Sequence, residues 1–594
     1  MCGIAGICSP TAELHGADAR LAAMLASMVH RGPDASGAFV DGTVALGSRR
    51  LAIIDLKGGD QPIYNEDETV CLVYNGEVYN FPELRERLLA SGHRFRTHTD
   101  SETIVHLYEE RGPQLVEELN GMFAFALWDA RRQRLFAARD RLGVKPLYYA
   151  WDGTTLAFAS EVRALIAGGF VRAELDPDAF VELLTFQNII SFRSLFRGVD
   201  VLPPATTIIV DENGLATDRY WDPELRLADP APDPSEVLER VRTTFDRAVE
   251  RQLISDVEVA SYLSSGLDSS SVTASAARVL RRLTTFTTGF DVTGAVGMEA
   301  EFDEREEAGA LAATLGTHHH ELLLDSHDLD MVLPRVVLHL EEPRMNFSYP
   351  NYLTAGFASC WVKVVLSSVG GDELFAGYPW RYELADRPDF LDRYFEAWSR
   401  LLTRDELGEG LAKPLAADVD LDRPRRLYDE LMEDTQDLPD LERILAYELK
   451  TYLHGLLLIE DKLSMAHSLE SRVPFLDNEL VDLALTIPAS MKLADGVSKS
   501  LLRRAMQGRL PETVLARGKT GFVPPQGSWF MQGGYVDEIL LSERALSRGL
   551  FKPEFVRRLI EEHRSTTRNR RLVLWTLLCL EWWHRIFVEG EHAK

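Results

Sequence analysis

Cysteine is scarce in this chain. Five thiols, Cys2, Cys8, Cys71, Cys360 and Cys579, are scattered through 594 residues. Their number is odd and no two share a C-x-x-C spacing, which argues against a disulfide framework or a thiolate zinc site. Positive charge is in deficit: 64 Lys and Arg stand against 92 Asp and Glu, a formal net charge of −28. Nucleic-acid binding needs the opposite balance, so such a partner is not expected, although a local basic pocket for one nucleotide phosphate stays open. Long apolar runs are missing. The most apolar late stretch, Leu572–Leu580, is broken by Glu581 and is too short to cross a bilayer. The N-terminus has no basic region followed by an apolar run, so no signal peptide is expected. These absences together predict a cytoplasmic protein without a membrane partner.

What is present is ordinary in bulk and specific in detail. The chain is too long for one core, so two or more domains are expected. Over residues 1–210, short apolar runs alternate with Gly, Asn and Asp turns. "VCLVYNGEVYN" (70–80), "GMFAFALWDA" (121–130) and "RLFAARDRLG" (134–143) read as strands and hairpins, with helical patterns near 18–30, 81–91 and 101–111. This is an α+β pattern rich in antiparallel sheet. A proline-rich stretch within 211–236 reads as a linker. Beyond it, over 237–594, strands at 257–263, 283–290, 319–324 and 361–366 alternate with helices, which implies a parallel sheet covered on both faces. From about 390 the pattern is largely helical. No internal repeat is visible.

Two turns carry the chemistry of the second half. In "VASYLSSGLDSSSVTA", an apolar strand ends at Leu263 and a small-residue turn leads into a helix. Such a turn offers backbone N–H groups, hydroxyls and a helix dipole to an anion. It lacks G-K-[ST], so it is no Walker loop, and a plain serine-capped turn stays open. "VVLSSVGGDELFAGY" (364–378) repeats the arrangement. In a parallel sheet both strand ends lie on the edge where ligands bind. Asp268 and Asp372 then suit Mg²⁺ on a triphosphate, and Lys519 in "LARGKTGFVPP" suits a leaving pyrophosphate. Three neighbouring histidines, His318 to His320, alternate faces on a strand and do not chelate together. "LRRAM" (502–506) reads as a solvated helix face.

"MCGIAGI", "MVHRGPDASG", "SRRLAIIDL", "VYNGEVYN" and "THTDSE" resemble the glutaminase domain of class II amidotransferases, which use an N-terminal nucleophile. "LSSGLDSS", "SSVGGDELFAGY", "DKLSMAHSLESRVPFLDNEL" and "LARGKTGF" resemble the synthetase domain of glutamine-dependent asparagine synthetases. The resemblance covers nearly the whole chain in the family's order. It implies an N-terminal sandwich of antiparallel sheets, a C-terminal adenylating domain, and removal of Met1 to expose Cys2. A free α-amino group, with a pKa near ~7.7–8.0, can then serve as base for the thiol. By the same resemblance Asn75 and Gly76 form the oxyanion site, Arg50 binds the glutamine α-carboxylate, and Glu77 and Asp100 hold its α-amino group. Leu263, Ser264, Gly266, Asp268, Ser269, Phe290, Ser367, Ser368 and Gly370 bind ATP, with Asp268 and Asp372 toward Mg²⁺ and Lys519 on pyrophosphate. A homodimer is likewise implied.

Two departures stand out. Ser265 replaces the first glycine of the usual Ser-Gly-Gly, which is tolerable unless that backbone needs φ > 0. Val369 stands where the family carries Glu or Asp. With Met345 and Phe347 it makes the acceptor region more apolar than an aspartate pocket. The acceptor is therefore either aspartate, with Glu373 or Glu460 supplying the missing acid, or a less polar carboxylic acid of specialised metabolism. A β-lactam-forming relative is disfavoured by Cys2. A non-catalytic binding protein would not need Cys2, Arg50, Asn75 and Asp100 together with both turns.

Overall fold

The computed structural model describes residues 2–225, 233–293, 299, 302–519, 521, 524–531 and 534–593. Part of the expected linker (226–232) lies outside the described residues, as do Met1, Thr520, Phe522 and Val523.

The first strands are β1 (Cys2–Cys8), β2 (Ala35–Asp41), β3 (Val44–Arg50), β4 (Ile63–Tyr64), β5 (Val70–Val78) and β6 (Gly121–Asp129). They are followed by β7 (Arg134–Arg139), β8 (Tyr148–Trp151), β9 (Leu156–Ala159), β10 (Asp200–Val201), β11 (Thr206–Asp211) and β12 (Gly214–Arg219). They form two six-stranded sheets, β10-β8-β9-β1-β3-β2 and β12-β11-β7-β6-β5-β4. β1 is buried along its whole length because β3 and β9 flank it and apolar layers cover both faces. Its pleat sorts the side chains. Ile4 and Cys8 join Val44, Leu46, Val73, Ala126 and Trp128 in the layer between the sheets. Ala5 and Ile7 instead meet Leu21, Met24 and Leu25 of the helix Ala17–Ser27. On the outer face of the other sheet, Leu72 and Tyr74 pack with Leu84, Leu88, Ile104 and Leu107 of the helices Phe81–Ala90 and Glu102–Arg111. The result is the expected α+β sandwich. One strand is shorter than its pattern predicts. β7 stops at Arg139 because the Asp140 carboxylate collects the N–H groups of Leu142, Val144 and Lys145 and turns the chain.

The second half is built on β13 (Val259–Tyr262), β14 (Thr284–Phe290), β15 (His318–Leu324), β16 (Val364–Leu366) and β17 (Glu470–Arg472). All are parallel, in the order β15-β14-β13-β16-β17. The helix Pro234–Arg251 contributes Val241 and Phe245 to one covering layer. The helix Ser348–Ser359 contributes Ala355 and Ala358 to the other. β17 has no apolar run to reveal it. Its sequence, Glu-Ser-Arg, is buried because Glu470 and Arg472 neutralise each other at 2.6 Å. The C-terminal region is helical, and the helix Arg571–Trp583 buries Trp575 and Trp583 completely. Its residues share one apolar cluster with Ala5 and Ile7, so the two halves meet through a common core. Among the described residues no helix is long and apolar enough to cross a membrane.

Candidate active sites

Cys2 opens β1 opposite Arg50 on β3 and is 5% exposed. Its backbone N–H donates to Asn75 Oδ1 at 3.0 Å, which leaves Asn75 Nδ2 buried with no partner. A buried amide donor left unsatisfied costs about 1–3 kcal/mol, so this group is poised for an acceptor that arrives with substrate. Asn75 lies on β5, and Gly76 beside it packs against β6 so closely that a Cβ would lie 2.2 Å from Met122 O. Burial pushes the Cys2 thiol pKa up, against the chain's terminal ammonium and Arg50. At rest Cys2 is therefore a thiol rather than a thiolate. Gln61, which the motifs did not single out, reaches Cys2 Sγ with Nε2 at 3.3 Å.

The groups expected to hold glutamine surround this thiol. Arg50 is fixed by Asp60 at 3.0 Å and by the carbonyls of Ile54 and Asp55 at 3.1 and 2.6 Å. Asp100 accepts from Tyr74 Oη at 2.7 Å and from Val78 N at 2.8 Å. Burial, then Glu470 and Asp100, push the Glu77 carboxyl far above its usual range, opposed by Arg472 at 3.5 Å. Burial also raises Asp100. Buried carboxylates in excess of cations are stabilised by an incoming ammonium, which is what the α-amino group of an amino acid supplies.

The second site lies at the point where the parallel sheet changes direction. β14 and β15 extend from one side of β13, and β16 and β17 from the other, and the two Ser/Gly turns leave the carboxyl ends of β13 and β16. In the first turn Ser264 Oγ bonds Ser269 Oγ at 2.8 Å and accepts from Gly266 N at 3.1 Å. Leu263 and Phe290 are buried strand ends, and Phe290 packs in an apolar cluster. In the second turn Gly370 has φ +100°, and a Cβ there would lie 2.3 Å from Leu476, so only glycine fits. Ser368 flanks it and Ser367 N donates to Arg472 O at 2.7 Å. Ser265 is absent from the positive-φ residues, so its backbone conformation does not demand glycine.

Asp268 and Asp372 converge on one ammonium. Lys499 pairs with Asp268 and lies 2.5 Å from Asp372 Oδ1, and Lys519 reaches Asp372 Oδ2 at 2.6 Å. Burial opposes the Asp372 carboxylate, but the two lysines hold its pKa down at about 2. Burial leaves Asp268 raised, and its Oδ1 has no hydrogen-bond partner. A Cβ on Gly371 would lie 2.7 Å from Asp268 Cγ, so the glycine keeps that carboxylate open. Two carboxylates around one cation position fit the donor set of Mg²⁺ shared with phosphate oxygens. Lys499 was not anticipated; it has φ +55°, uncommon for a lysine. The neighbouring "LRRAM" corrects the sequence reading: Arg503 turns inward to the carbonyls of Ser498 and Leu515 at 2.9 and 2.5 Å, and only Arg504 is exposed.

The residues expected at the acceptor divide between two places. Met345 is buried and Phe347 packs on the same apolar cluster, whereas Val369 packs on the cluster beneath the two Ser/Gly turns. Glu373 accepts from Tyr378 Oη at 2.5 Å, and burial with Asp372 beside it raises its pKa to about 7. Glu460 accepts from Ser471 Oγ at 2.5 Å, and Ser471 lies on β17, the strand paired with the one that leads into the second turn. Its neighbour Asp461 binds Arg31 at 2.8 Å and Lys145 at 3.2 Å, and Arg31 Nε donates to Cys2 O at 3.3 Å. Arg31 and Asp461 therefore form a fully buried bridge from the nucleophile's strand to the helix Leu453–Met465.

The asparagine synthase family model matches residues 240–585, and the glutamine amidotransferase domain model matches 1–221. The chain belongs to the asparagine synthase family. It is 31% identical over 629 residues to asparagine synthetase [glutamine-hydrolyzing] 1 of Bacillus subtilis, covering 100% of this chain and 98% of that protein. Asparagine synthetase [glutamine-hydrolyzing] 3 of the same organism is 32% identical, covering 88% and 87%. The Arabidopsis thaliana protein of the corresponding name, number 3, is 31% identical, covering 89% and 80%. The fold and the family make this chain an amidotransferase-type ligase.

Proposed function

We propose that the chain liberates ammonia from glutamine at Cys2 and uses it to amidate a carboxylic acid, most simply aspartate, activated by ATP in the second domain. The observation that carries this reading is the unpartnered Asn75 Nδ2 beside a strand-terminal thiol. After removal of Met1, the Cys2 amine takes the thiol proton, and sulfur attacks the glutamine side-chain carbonyl. Asn75 Nδ2 and the Gly76 N–H stabilise the oxyanion. Ammonia leaves with that proton, and water releases glutamate from the thioester. In the synthetase domain the acceptor carboxylate displaces pyrophosphate from ATP to give an acyl-adenylate; ammonia then displaces AMP. Ser264, Gly266, Ser269, Ser367, Ser368 and Gly370 cradle the nucleotide, and Lys519 neutralises pyrophosphate. Asp268 and Asp372 would hold Mg²⁺, which neutralises phosphate charge when bound.

Glu460 takes the place of the acid that Val369 removes, because it bonds Ser471 on the strand beside the second turn and adjoins the bridge to Cys2. A second reading is favoured by Val369 itself: a less polar acid as acceptor. ATP–pyrophosphate exchange over a panel of carboxylic acids decides. Aspartate as the best activator supports the first reading; preference for an apolar acid replaces it by the second.

A further inference from the structure

Away from both sites, on the outer helix layer of the glutaminase domain, four side chains from three segments point at one spot. Glu66 lies in the turn between β4 and β5, His93 in the loop before the helix Glu102–Arg111, and His106 and Glu109 on that helix. His106 and Glu109 are three residues apart and share a helix face. One ligand atom from each falls within 4.8 Å of all the others. His93 Nδ1 is 3.2 Å from Glu66 Oε1 and 3.8 Å from Glu109 Oε2. His106 Nδ1 is 3.3 Å from Glu66 Oε2 and 3.4 Å from Glu109 Oε2. A tetrahedral zinc ion with bonds near 2.0–2.1 Å separates its ligand atoms by about 3.3 Å.

The outer partners follow the same logic. Both histidines turn Nδ1 inward and Nε2 toward a further carboxylate: Glu110 at 3.7 Å from His93 and Glu102 at 3.6 Å from His106. Glu109 keeps Oε2 for the cluster because Asn65 Nδ2 donates to its Oε1 at 2.8 Å. Glu66 is steadied by Arg94 N at 3.0 Å. Neither contact is a hydrogen bond, and His106 Nε2 is buried without one, so Glu102 and Glu110 act on the rings as nearby charges. His106 is buried, while His93, Glu66 and Glu109 side chains are 17%, 22% and 27% exposed, which gives an ion a way in.

We propose that Glu66, His93, His106 and Glu109 form a structural site for a borderline divalent ion, zinc in the first instance, that fastens the helix Glu102–Arg111 to the β4–β5 turn. Two nitrogens and two carboxylate oxygens suit Zn²⁺ better than Mg²⁺ or Ca²⁺. The site is independent of the proposed reaction. The helix it fastens starts two residues after Asp100, so the ion also steadies that end of the glutamine pocket.

The test uses the untagged full-length chain, stripped and then titrated with ZnCl₂ by calorimetry, with elemental analysis after gel filtration. One equivalent of zinc per chain is expected, with a raised thermal midpoint. His93→Gln, at a half-open position, should abolish the uptake while ammonia-dependent synthesis persists. Glu110→Gln, which removes only a nearby charge, should weaken binding by less than His93→Gln does. Co²⁺ in place of zinc should give a tetrahedral visible spectrum without thiolate charge transfer, which excludes Cys2 as the ligand. No saturable uptake, or uptake unchanged in His93→Gln, overturns the assignment and leaves a cluster of side chains without an ion.

Discussion

The two sites solve the problem of buried charge in opposite ways. Around Cys2 the reactive groups sit on antiparallel strands, locked by ladder bonds. The site carries unmet demand: an amide donor without an acceptor and carboxylates in excess of cations. Around Asp268 and Asp372 the groups sit in the first turns of helices, and the charge is met internally, because Lys499 and Lys519 pair with the two carboxylates, although Asp268 Oδ1 keeps no hydrogen-bond partner. The first site is preorganised for its ligand. The second must exchange internal ion pairs for ligand contacts. Rigid strands suit covalent chemistry on one small amide; turns at a switch point suit a large anion that enters and leaves in pieces.

Removal of the nucleophile breaks this comparison most sharply. Cys2→Ala should abolish glutamine-dependent synthesis and leave ammonia-dependent synthesis intact, measured by AMP formation with each nitrogen source. Loss of both would mean that the second site depends on the first for more than ammonia. Asp372→Asn should do the reverse: pyrophosphate exchange falls by about 10²-fold or more, a magnitude typical of a lost electrostatic contact at a reacting centre, while glutamine hydrolysis continues.

Asn75→Ala tests whether the orphan donor works in the transition state. Glutamine hydrolysis should fall about 10²–10³-fold in kcat, with KM nearly unchanged. A rise in KM alone would make Asn75 a ground-state contact.

The legible and illegible parts of the molecule follow the same contrast. Strand residues at the first site fall in contiguous motifs, "MCGIAGI" and "VYNGEVYN", because neighbours across a ladder also repeat along the chain. The helix–sheet alternation similarly reveals both fold classes. What sequence hides is pairing across distance. Lys499 meets Asp268 across 231 residues, and nothing in "SKSLLRR" marks its ammonium as buried. Gln61 reaches Cys2 from a loop without a pattern. The Glu66–His93–His106–Glu109 cluster draws on three segments, so no spacing rule finds it. β17 escaped because its burial rests on an ion pair rather than on apolar residues.

A pH series sharpens the electrostatic half of the comparison. Glu77 and Asp100 have raised pKa values in the folded chain, so they protonate before ordinary carboxylates as pH falls. The proposed binding of the glutamine ammonium needs them charged. KM for glutamine should therefore rise as pH drops from neutrality toward the usual carboxylate range, while ammonia-dependent exchange keeps its own profile. Glu77→Gln should raise KM and flatten this dependence; an unchanged profile would remove Glu77 from the ammonium pocket.

The smallest expected effect concerns Ser265. Its backbone does not require glycine, but its Oγ is buried with no partner beside Ser264 and Gly266. An unsatisfied hydroxyl costs stability in the free chain and gains a bond only when an acceptor arrives. A phosphate oxygen in the first turn is such an acceptor. Ser265→Gly should thus leave the fold intact and raise KM for ATP by several-fold, corresponding to about 1 kcal/mol. The same variant should leave glutamine hydrolysis untouched, since Ser265 lies in the other domain. If KM for ATP does not move, the hydroxyl faces the protein rather than the nucleotide, and the first turn holds phosphate through Ser264, Gly266 and Ser269 alone.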